Sequence, residues 1–521
     1  MKTNLFSYCL IVCILAIATA PVVAQEKSAP VKQEAAKTED KKEDESKDKE
    51  DDKKSSSEVL AIVGGDIHTV TGSMIRQGTI LVQDGKILDV GQSIEVPEDA
   101  TVIDASGRTI TPGFVAVSMR GVGLRGAPGQ RDKLEDALDP FDRNIKYSLG
   151  VGITTGCIEM TAGRGRFGRR SEDGSPMEIF PGLEEPLEEY LTESMLDYGD
   201  EDTALCPCCG LPVIPTEPIT PAPPTREQPR KMAVLKMSFG NLDAMLMKEN
   251  AFYSPAPGAL NGALQRHNWR VQMKKLKEQI EKEKETKESS SNARPTRGAG
   301  RTGGQTAGAQ RTRTNRGGAN AELMKLLKRE VSMRIRANTV DEIRDMVDLA
   351  DELGYDIIIE GGIEAWVLGQ ELGAADVGVI YTPRQRRRAQ PGREDNSGSF
   401  IESPKIFQDS GVPFAIATLG NSISMGGLAG RDLSSLPLEA AFSVRGGADE
   451  QTALEALTIV PARMMGLEDR IGSIEKGKDA DILILNGAPL DYRTYVEQAI
   501  VAGKVSYVRD QDRVYPTEDD K

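Results

Sequence analysis

The sequence predicts an α/β protein whose main part is a (β/α)8 TIM barrel, and three observations lead to that prediction. Between residues 112 and 465, short segments rich in Val and Ile alternate with stretches of helical spacing. Short strand-like segments flank this region on both sides. The chain has 521 residues, which is enough for a barrel and further domains. Repeated strand–helix units favour parallel strands that close into a barrel.

The segments on either side of the barrel are predicted to be short antiparallel strands. In residues 58–111, apolar segments alternate with turn residues, and Asp84-Gly85 separates two of them as a hairpin turn does. Strand patterns return in residues 466–510, and a short tail, 511–521, follows them. Both ends of the chain therefore contribute strands outside the barrel.

The barrel region, residues 112–465, contains apolar segments that fit the buried strands of a parallel sheet. Such strands are almost continuously apolar because both of their faces are covered. Residues 339–353 and 450–465 instead have helical spacing. The predicted strands are residues 150–158, 231–239, 331–337, 355–361, 377–383 and 412–420.

Two insertions interrupt this pattern, at residues 201–224 and 264–320. The second begins with a predicted helix, 264–287, and continues into an Arg/Gly-rich stretch, 289–318, that is predicted to be disordered. Such arginine-rich stretches can contact nucleic acid, but a flexible insertion is the simpler interpretation. The formal net charge of −15 also argues against general affinity for nucleic acid or anionic membranes.

The first residues, 1–24, have the pattern of a cleaved secretory signal peptide. A lysine precedes a short apolar run, and small residues end at Ala24. An uncleaved anchor is the alternative, although the run is short for a membrane span and no other segment is apolar enough. Residues 25–57 are almost entirely Lys, Glu, Asp, Ser and Ala, which predicts a disordered tether, with a charged helix as the alternative. The mature protein is expected to be exported, either periplasmic or secreted.

Motifs at both ends carry a resemblance to a known family. The most specific is residues 456–490, ALTIVPARMMGLEDRIGSIEKGKDADILILNGAPL, and GRTITPGF at residues 107–114 adds to it. Residues 59–155 and 321–508 resemble the amidohydrolase superfamily, in its imidazolonepropionase-like and dihydroorotase-like or prolidase-like branches. The resemblance implies a metal-dependent barrel that hydrolyses carbon–nitrogen bonds. It also implies a composite β-sandwich built from the N- and C-terminal strands.

The family's metal-binding positions carry other residues in this sequence. Active relatives have a PGF-I-D-x-H-x-H segment on the first strand, histidines on the fifth and sixth, and an aspartate on the eighth. The whole chain has two histidines, His68 in the predicted sandwich and His267 on a predicted solvated helix face, both remote from these positions. The matching positions are Ala116, Ser118, Arg120, Arg336, Gly361 and Leu419. The resemblance therefore implies a degenerate site, because zinc requires imidazole, thiolate or carboxylate ligands.

Arginines at two of these positions predict a basic barrel mouth. Arg120 and Arg336 are expected where the family holds divalent cations, and fixed guanidinium charge can replace a cation electrostatically without activating water. Alternatively, both arginines pair with Glu360. Lys236 matches a position that carries a metal-bridging lysine in some branches. The candidate anion-binding residues are Arg120, Lys236, Arg336, Arg384 and Arg386, with further arginines at Arg164, Arg166, Arg169, Arg170, Arg387 and Arg388.

Two cysteines in the first insertion form a weak candidate metal site. Cys206 and Cys209, in CPCCG, have the spacing of one half of a zinc knuckle. A full site needs a second pair of ligands, and a local disulfide is at least as good an interpretation in an exported protein.

Three functional hypotheses remain open. In the first, an exported amidohydrolase-fold protein has lost metal-dependent hydrolysis and acts as a binding or scaffolding pseudoenzyme. Its expected partner is a small anionic molecule, an acidic polymer or an active paralogue, and no cofactor is expected unless zinc chemistry survives. In the second, the protein is an active hydrolase of carbon–nitrogen bonds. In the third, it is a structural envelope protein. Neither nucleic acid nor a stable membrane span is expected in any of them.

Overall fold

The computed structural model describes residues 59–125, 134–160, 229–256, 258–291, 314–423 and 432–512. The expected signal peptide and tether, the insertion 201–224 with Cys206 and Cys209, and Arg164 to Arg170 lie outside these residues. The strands are β1 Leu60–Ile67, β2 Ile75–Gln83, β3 Lys86–Gly91, β4 Thr101–Asp104, β5 Thr109–Pro112, β6 Phe114–Met119, β7 Ile153–Met160, β8 Lys231–Lys236, β9 Leu246–Lys248, β10 Phe252–Tyr253, β11 Ser332–Ala337, β12 Ile357–Gly361, β13 Gly378–Tyr381, β14 Phe414–Ile416, β15 Ile482–Leu485, β16 Val496–Val501 and β17 Lys504–Val508.

The helices lie mainly between and after the barrel strands. They are α1 Leu134–Ala137, α2 Arg143–Gly150, α3 Ala263–Ser291, α4 Thr314–Leu327, α5 Val340–Leu353, α6 Gly369–Ala374, α7 Ser403–Ser410, α8 Leu436–Arg445, α9 Glu450–Glu455 and α10 Ile459–Met464. Among the described residues, no helix is long and apolar enough to cross a membrane.

The strands from the two ends of the chain form one eight-stranded sheet, which we call the composite sheet. Its order is β17-β16-β15-β5-β1-β2-β3, with β4 beside β1. The ends of the chain meet where β5 pairs antiparallel with β15. The predicted hairpin at Asp84 and Gly85 is confirmed, because both residues have positive φ, as a tight two-residue turn requires. The strands that were expected to form a composite β-sandwich therefore belong to one hydrogen-bonded sheet.

The remaining strands form two sheets, in the orders β6-β7-β8-β9 and β10-β11-β12-β13-β14. These sheets meet where β10 contacts β8 and where β14 contacts β6, so that together they make a ring. Two backbone bridges connect the ring where the named strands do not pair. Arg120 bridges Ser422 beyond β14, and Arg230 bridges Ser254 between β8 and β10. The predicted α/β barrel class is confirmed, and the described ring agrees with an eight-stranded barrel.

One strand of the ring runs against the prediction. Residues 231–239 were expected to be a parallel strand, but β8 pairs antiparallel with β7, with Thr155 opposite Lys236 and Met160 opposite Lys231. An apolar run alone does not determine strand direction, because the side chains of a buried strand are equally apolar in both orientations. The reversal places the start of β8 at the barrel's carboxyl end and Lys236 at its opposite end.

Two separate apolar cores surround the barrel strands. Val115, Val234, Ile358 and Ile380 belong to a cluster inside the ring, whereas alternate residues such as Ile359 pack outward against the helices. This alternation is the period of two that a strand imposes on its side chains. Inward positions near the strand ends are therefore the positions from which a side chain reaches the barrel mouth.

The helix predicted over residues 339–353 is confirmed as α5, and local chemistry explains both of its ends. Thr339 and Glu342 form a reciprocal capping box that satisfies backbone N–H groups of the first turn. Gly354 ends the helix with φ 71°, a left-handed conformation that glycine adopts at low cost. The helix thereby fixes the connection between β11 and β12, which carry the most charged part of the mouth.

The helical insertions differ from the predictions in two details. The helix expected over 264–287 extends as α3 to Ser291, and α4 begins at Thr314, inside the stretch 289–318 that was expected to be disordered. Buried Leu323 and Leu326 anchor α4 on the core, which the preceding Arg/Gly-rich composition does not reveal. The helix predicted over 450–465 is divided into α9 and α10, and Pro461, which has no N–H group, lies in the first turn of α10.

Candidate functional site

The candidate site lies at the barrel mouth, the end of the ring where the parallel strands finish. β11 and β12 place Arg336 directly opposite Glu360 in the strand register. Arg120 follows β6, and its backbone N–H donates to the carbonyl of Asn421 at 2.7 Å. The end of β7 contributes Glu159, and the reversed β8 brings Arg230 to the same end.

These side chains form a connected set of charges, which we call the mouth ion cluster. It consists of Arg120, Glu159, Arg230, Arg334, Arg336 and Glu360. Arg120 Nη2 lies 3.0 Å from Glu159 Oε2. The guanidinium of Arg230 bridges the two carboxylates, 3.8 Å from Glu159 Oε1 and 3.3 Å from Glu360 Oε2. Four positive and two negative charges leave the cluster with a net formal charge of +2.

Arg334 is the innermost member of the mouth ion cluster. Its side chain is 2% exposed, and its Nε donates to Glu360 Oε2 at 2.9 Å. Its Nη1 donates to the carbonyl of Val117 on β6 at 2.6 Å, so the guanidinium reaches across the barrel from β11. The ring of Phe252 lies 5.7 Å from the guanidinium carbon, an additional cation–π contact. Arg334 therefore closes the barrel interior beneath the mouth.

Glu360 is the anchor of the cluster. Burial of its carboxyl would raise the pKa, but the guanidiniums of Arg334, Arg230 and Arg336 outweigh it and lower the pKa of Glu360 to about 2. Arg336 Nη2 donates to Glu360 Oε1 at 2.8 Å while 69% of the Arg336 side chain remains exposed. The carboxylate is thus fully ionised and already engaged by three arginines.

The expectation that both mouth arginines pair with Glu360 is correct for Arg336 and wrong for Arg120. Arg120 pairs with Glu159 on the neighbouring strand β7, because β6 and β7 are adjacent whereas β12 lies elsewhere in the ring. The Arg120 side chain is 54% exposed. Both arginines therefore keep part of their hydrogen-bonding capacity toward solvent.

Three of the other matched positions carry neither a charged group nor an imidazole. Ala116 is fully buried and packs in the core outside the ring, and Leu419 is 47% exposed after β14. Ser118 is half-buried, and its hydroxyl accepts a long hydrogen bond of 3.5 Å from Asn421 Nδ2. Ser118 and Asn421 therefore lie beside Arg120 as neutral polar groups.

Gly361 shows why a histidine cannot simply be restored at the mouth. Its φ of 98° is a conformation that L side chains rarely adopt. A Cβ built on it would lie 2.3 Å from Asn338 Oδ1, well inside contact distance. The side chain of Asn338 and the positive φ of Gly361 therefore both disfavour a side chain at residue 361.

Lys236 is far from the mouth arginines, although it was grouped with them as an anion-binding candidate. The reversed β8 carries it to the opposite end of the barrel, where its Nζ lies 2.8 Å from Asp479 Oδ2 and 3.0 Å from Asp481 Oδ2. The side chain is 2% exposed. We call Lys236, Asp479 and Asp481 the floor ion cluster. The corrected position makes Lys236 a link between the barrel and the composite sheet.

The loop after β13 holds the other candidate arginines. The guanidinium of Arg384 contacts one carboxylate oxygen of the buried Glu439. Its Nε and Nη2 each lie 2.8 Å from Oε1. Arg387 lies 3.3 Å from Glu364, whereas Arg386 is exposed. Arg384 is therefore held by a buried carboxylate, and Arg386 is a surface residue of the same loop.

Sequence reasoning missed Glu159, Arg230 and Arg334. A signal existed for Arg334, because the alternation along SMRIRA places it on the same strand face as Arg336. Arg230 had no such signal, since its position at the mouth follows from the reversal of β8. The charge balance of the mouth therefore could not be obtained from the sequence.

The donor set of the mouth does not fit a divalent metal ion. Metal sites of this kind use neutral imidazoles, thiolates or free carboxylates, and both mouth carboxylates are occupied by guanidiniums. Four guanidiniums at the same place would also repel a cation. Across the described ranges, no group of three or more His, Cys, Asp and Glu side chains could hold a metal.

The described histidines and cysteine lie away from the mouth arginines or are inert. His267 is exposed on α3, as predicted, and His68 is half-buried after β1, where burial lowers the pKa of its imidazole against the opposing effects of Asp66 and Glu450. Cys157 is buried within the barrel, and burial raises its pKa to about 11, so the thiol is protonated at neutral pH.

Comparisons with known proteins agree with this architecture. A family model described as "Amidohydrolase family" matches residues 438–507. A dihydroorotase from Anaeromyxobacter dehalogenans (strain 2CP-C) is 42% identical over 101 residues, which are 19% of this chain and 21% of that protein. An enamidase from Eubacterium barkeri is 34% identical over 116 residues, 22% of this chain and 26% of that protein. These sequence matches span about a quarter or less of each relative.

The fold provides the wider comparison. The crystal structure of an amidohydrolase from Thermotoga maritima MSB8 aligns with a TM-score of 0.56 at 21% identity, covering 86% of this chain and 100% of that chain. At this identity the alignment establishes the shared fold. The family model over residues 438–507, the local sequence matches and the shared fold are thus all similarities to proteins of the amidohydrolase superfamily.

Proposed function

We propose that this protein is an exported pseudoenzyme of the amidohydrolase fold that binds an anionic partner at its barrel mouth. One observation carries the proposal: the mouth ion cluster holds four guanidiniums and two carboxylates that are already paired with them. Metal-assisted hydrolysis needs an ion that activates water or polarises a carbonyl. Arginines supply positive charge and hydrogen-bond donors but no such activation.

The geometry supports binding more than catalysis. Arg120 and Arg336 are the exposed members of the cluster, and each is oriented by one carboxylate whose side chain is only 11–12% exposed. An oriented guanidinium is a good receptor for carboxylate or phosphate oxygens because its N–H groups form a planar fork. The opposing possibility, hydrolysis of a carbon–nitrogen bond, is favoured by the names of the dihydroorotase and enamidase relatives.

A combined metal and activity measurement tests the loss of hydrolysis. The purified full chain is incubated with Zn²⁺, Mn²⁺ or Fe²⁺, desalted, and analysed for bound metal and for hydrolysis of a cyclic amide such as dihydroorotate. We expect no stoichiometric metal in the barrel and no turnover, with a metal-loaded amidohydrolase as the positive control. Stoichiometric metal together with turnover that a chelator abolishes would show an active hydrolase instead.

A second measurement tests binding at the mouth. Dextran sulfate serves as a generic polyanion, and the double variant Arg120→Gln/Arg336→Gln is compared with Arg76→Gln, which changes an exposed arginine on β2 of the composite sheet. We expect the double variant to lose most of the affinity and the control to keep it. Equal affinity in all three proteins would exclude the barrel mouth as the binding site. Export is tested separately by N-terminal sequencing of the native protein, which we expect to begin near Gln25.

A further inference from the structure

The net charge of the mouth and its two exposed arginines narrow the class of ligand. Within the mouth ion cluster, Glu159 and Glu360 compensate two of the four guanidinium charges, which leaves +2. Other described ion pairs near the mouth, Arg384 with Glu439 and Arg387 with Glu364, are balanced one to one. A ligand with one negative charge would leave part of this excess uncompensated.

We infer that the mouth receives a doubly charged oxyanion of the phosphate monoester class. This inference rests on the proposed function and specifies its ligand. A phosphate monoester carries about two negative charges at neutral pH and three terminal oxygens that accept hydrogen bonds. Its charge matches the excess of the cluster, and its oxygens match the fork of donors on each guanidinium.

Neutral groups beside Arg120 add to the match. The Ser118 hydroxyl and the Asn421 amide lie next to Arg120, and the hydrogen bond between them is long at 3.5 Å. Both groups are half-buried rather than closed into the core. A tetrahedral oxyanion uses more donors than a planar carboxylate does, because it presents three terminal oxygens in different directions. Ser118 and Asn421 can therefore contribute donors that the two arginines alone do not supply.

The carboxylates of the cluster also favour a dianion. Glu360 competes with any ligand for Arg336, because its carboxylate already accepts from Nη2 at 2.8 Å. A monoanion would have to match an existing charge-assisted hydrogen bond, whereas a dianion interacts more strongly with the same guanidinium. Competition with Glu360 therefore favours the binding of dianions over monoanions.

The test compares two aromatic probes that differ in charge. Phenyl phosphate has a second pKa near 6, so it is mainly a dianion at about pH 7.5 and mainly a monoanion at about pH 5. Benzenesulfonate is a monoanion at both values. Arginine side chains are not deprotonated in proteins. The pKa of Glu360 is about 2, so its carboxylate stays ionised between these two pH values. The second carboxylate of the cluster, Glu159, is held between Arg120 and Arg230.

Calorimetric titration of the full chain gives the two affinities. We expect phenyl phosphate to bind about tenfold more weakly at pH 5 than at pH 7.5, following its dianion fraction, and benzenesulfonate to bind weakly at both. We expect Arg120→Gln and Arg336→Gln each to lower the phenyl phosphate affinity by about tenfold or more, since each removes a charge-assisted contact. Arg76→Gln, on β2 of the composite sheet, should leave it unchanged.

Two outcomes would overturn the inference, and they differ in what they imply for the proposed function. Equal binding of both probes without pH dependence, with loss in Arg120→Gln and Arg336→Gln, would refute the dianion while anion binding at the mouth stands. No binding of either probe would refute the phosphate class, and the dextran sulfate result then decides whether the mouth binds anions at all. Thermal unfolding of each variant shows that it is folded before its affinity is compared.

Discussion

The two ends of the barrel use the same kind of interaction in opposite ways. At the floor, Lys236 is 2% exposed and lies between Asp479 and Asp481, which belong to the segment that enters the composite sheet. At the mouth, guanidiniums outnumber carboxylates, and the outer two are more than half exposed. The floor ion cluster joins two parts of the fold. The mouth ion cluster retains an excess of charge that faces solvent.

The direction of β8 accounts for much of this difference. β8 begins just after Arg230 at the mouth and ends with Lys236 at the floor. A parallel strand would place these two cations the other way round. The comparison teaches that one strand reversal can move a lysine from a site where it would face ligands to one where it only stabilises. The predictions below test that division, from the largest expected effect to the smallest.

The largest effect is expected at the floor. Lys236→Met leaves Asp479 and Asp481 without their buried partner, and breaking a buried ion pair typically costs about 3–5 kcal/mol. Burial would raise the pKa of Asp479, but Lys236 and Arg470 lower it below its usual range. Urea denaturation of the wild type and the variant gives the change in the free energy of unfolding.

Lys86→Met is the matched control for that variant. Lys86 contacts the same carboxylate, with Nζ 3.5 Å from Asp479 Oδ1, but its side chain is 58% exposed. Surface ion pairs contribute about 0–1 kcal/mol, so this substitution should change stability little. Equal small losses in both variants would show that the floor ion cluster does not hold the barrel to the composite sheet.

Much of the fold could be predicted from the sequence, whereas the site could be predicted only in part. Apolar segments and the capping residues Thr339 and Gly354 act locally, so the strands and α5 were found close to their observed bounds. The position of Lys236 depends on strand direction, which its neighbours in the sequence do not encode. The partner of Arg120 depends on which strands are adjacent in the ring. The position of Arg230 depends on both strand direction and strand adjacency. Charges on different strands thus required the tertiary structure.

The second prediction concerns Glu360, whose pKa is lowered to about 2 from an ordinary value of 4.5. A carboxyl whose folded-state pKa is depressed stabilises the protein above its unfolded-state pKa. That contribution, about 3 kcal/mol, is lost as pH falls from about 4.5 toward 2. In Glu360→Gln, we expect a comparable loss of stability at neutral pH, because Arg334 remains buried without a charged partner. The variant's free energy of unfolding should also depend less on pH below 4.5.

Glu371→Gln provides the control for Glu360→Gln. Glu371 pairs with Arg344 at 3.4 Å, but both side chains are largely exposed. We expect its unfolding curve to follow the wild type between neutral and acid pH. If Glu360→Gln retained the wild-type stability and the same acid dependence, the mouth carboxylate would not be the anchor of the four arginines.

The smallest effect on stability is expected for Arg336→Gln. Its side chain is 69% exposed, so the single contact to Glu360 should contribute less than about 1 kcal/mol, and added salt should weaken it further. Arg334→Gln, which changes a 2% exposed guanidinium on the same strand, should cost several times more because Glu360 and the Val117 carbonyl lose a buried donor. Urea denaturation of the two variants at low and high salt measures the loss of stability in each variant and its dependence on salt. A large, salt-independent loss in Arg336→Gln would mean that this arginine belongs to the structural interior of the mouth, and its charge would then not be available for a ligand.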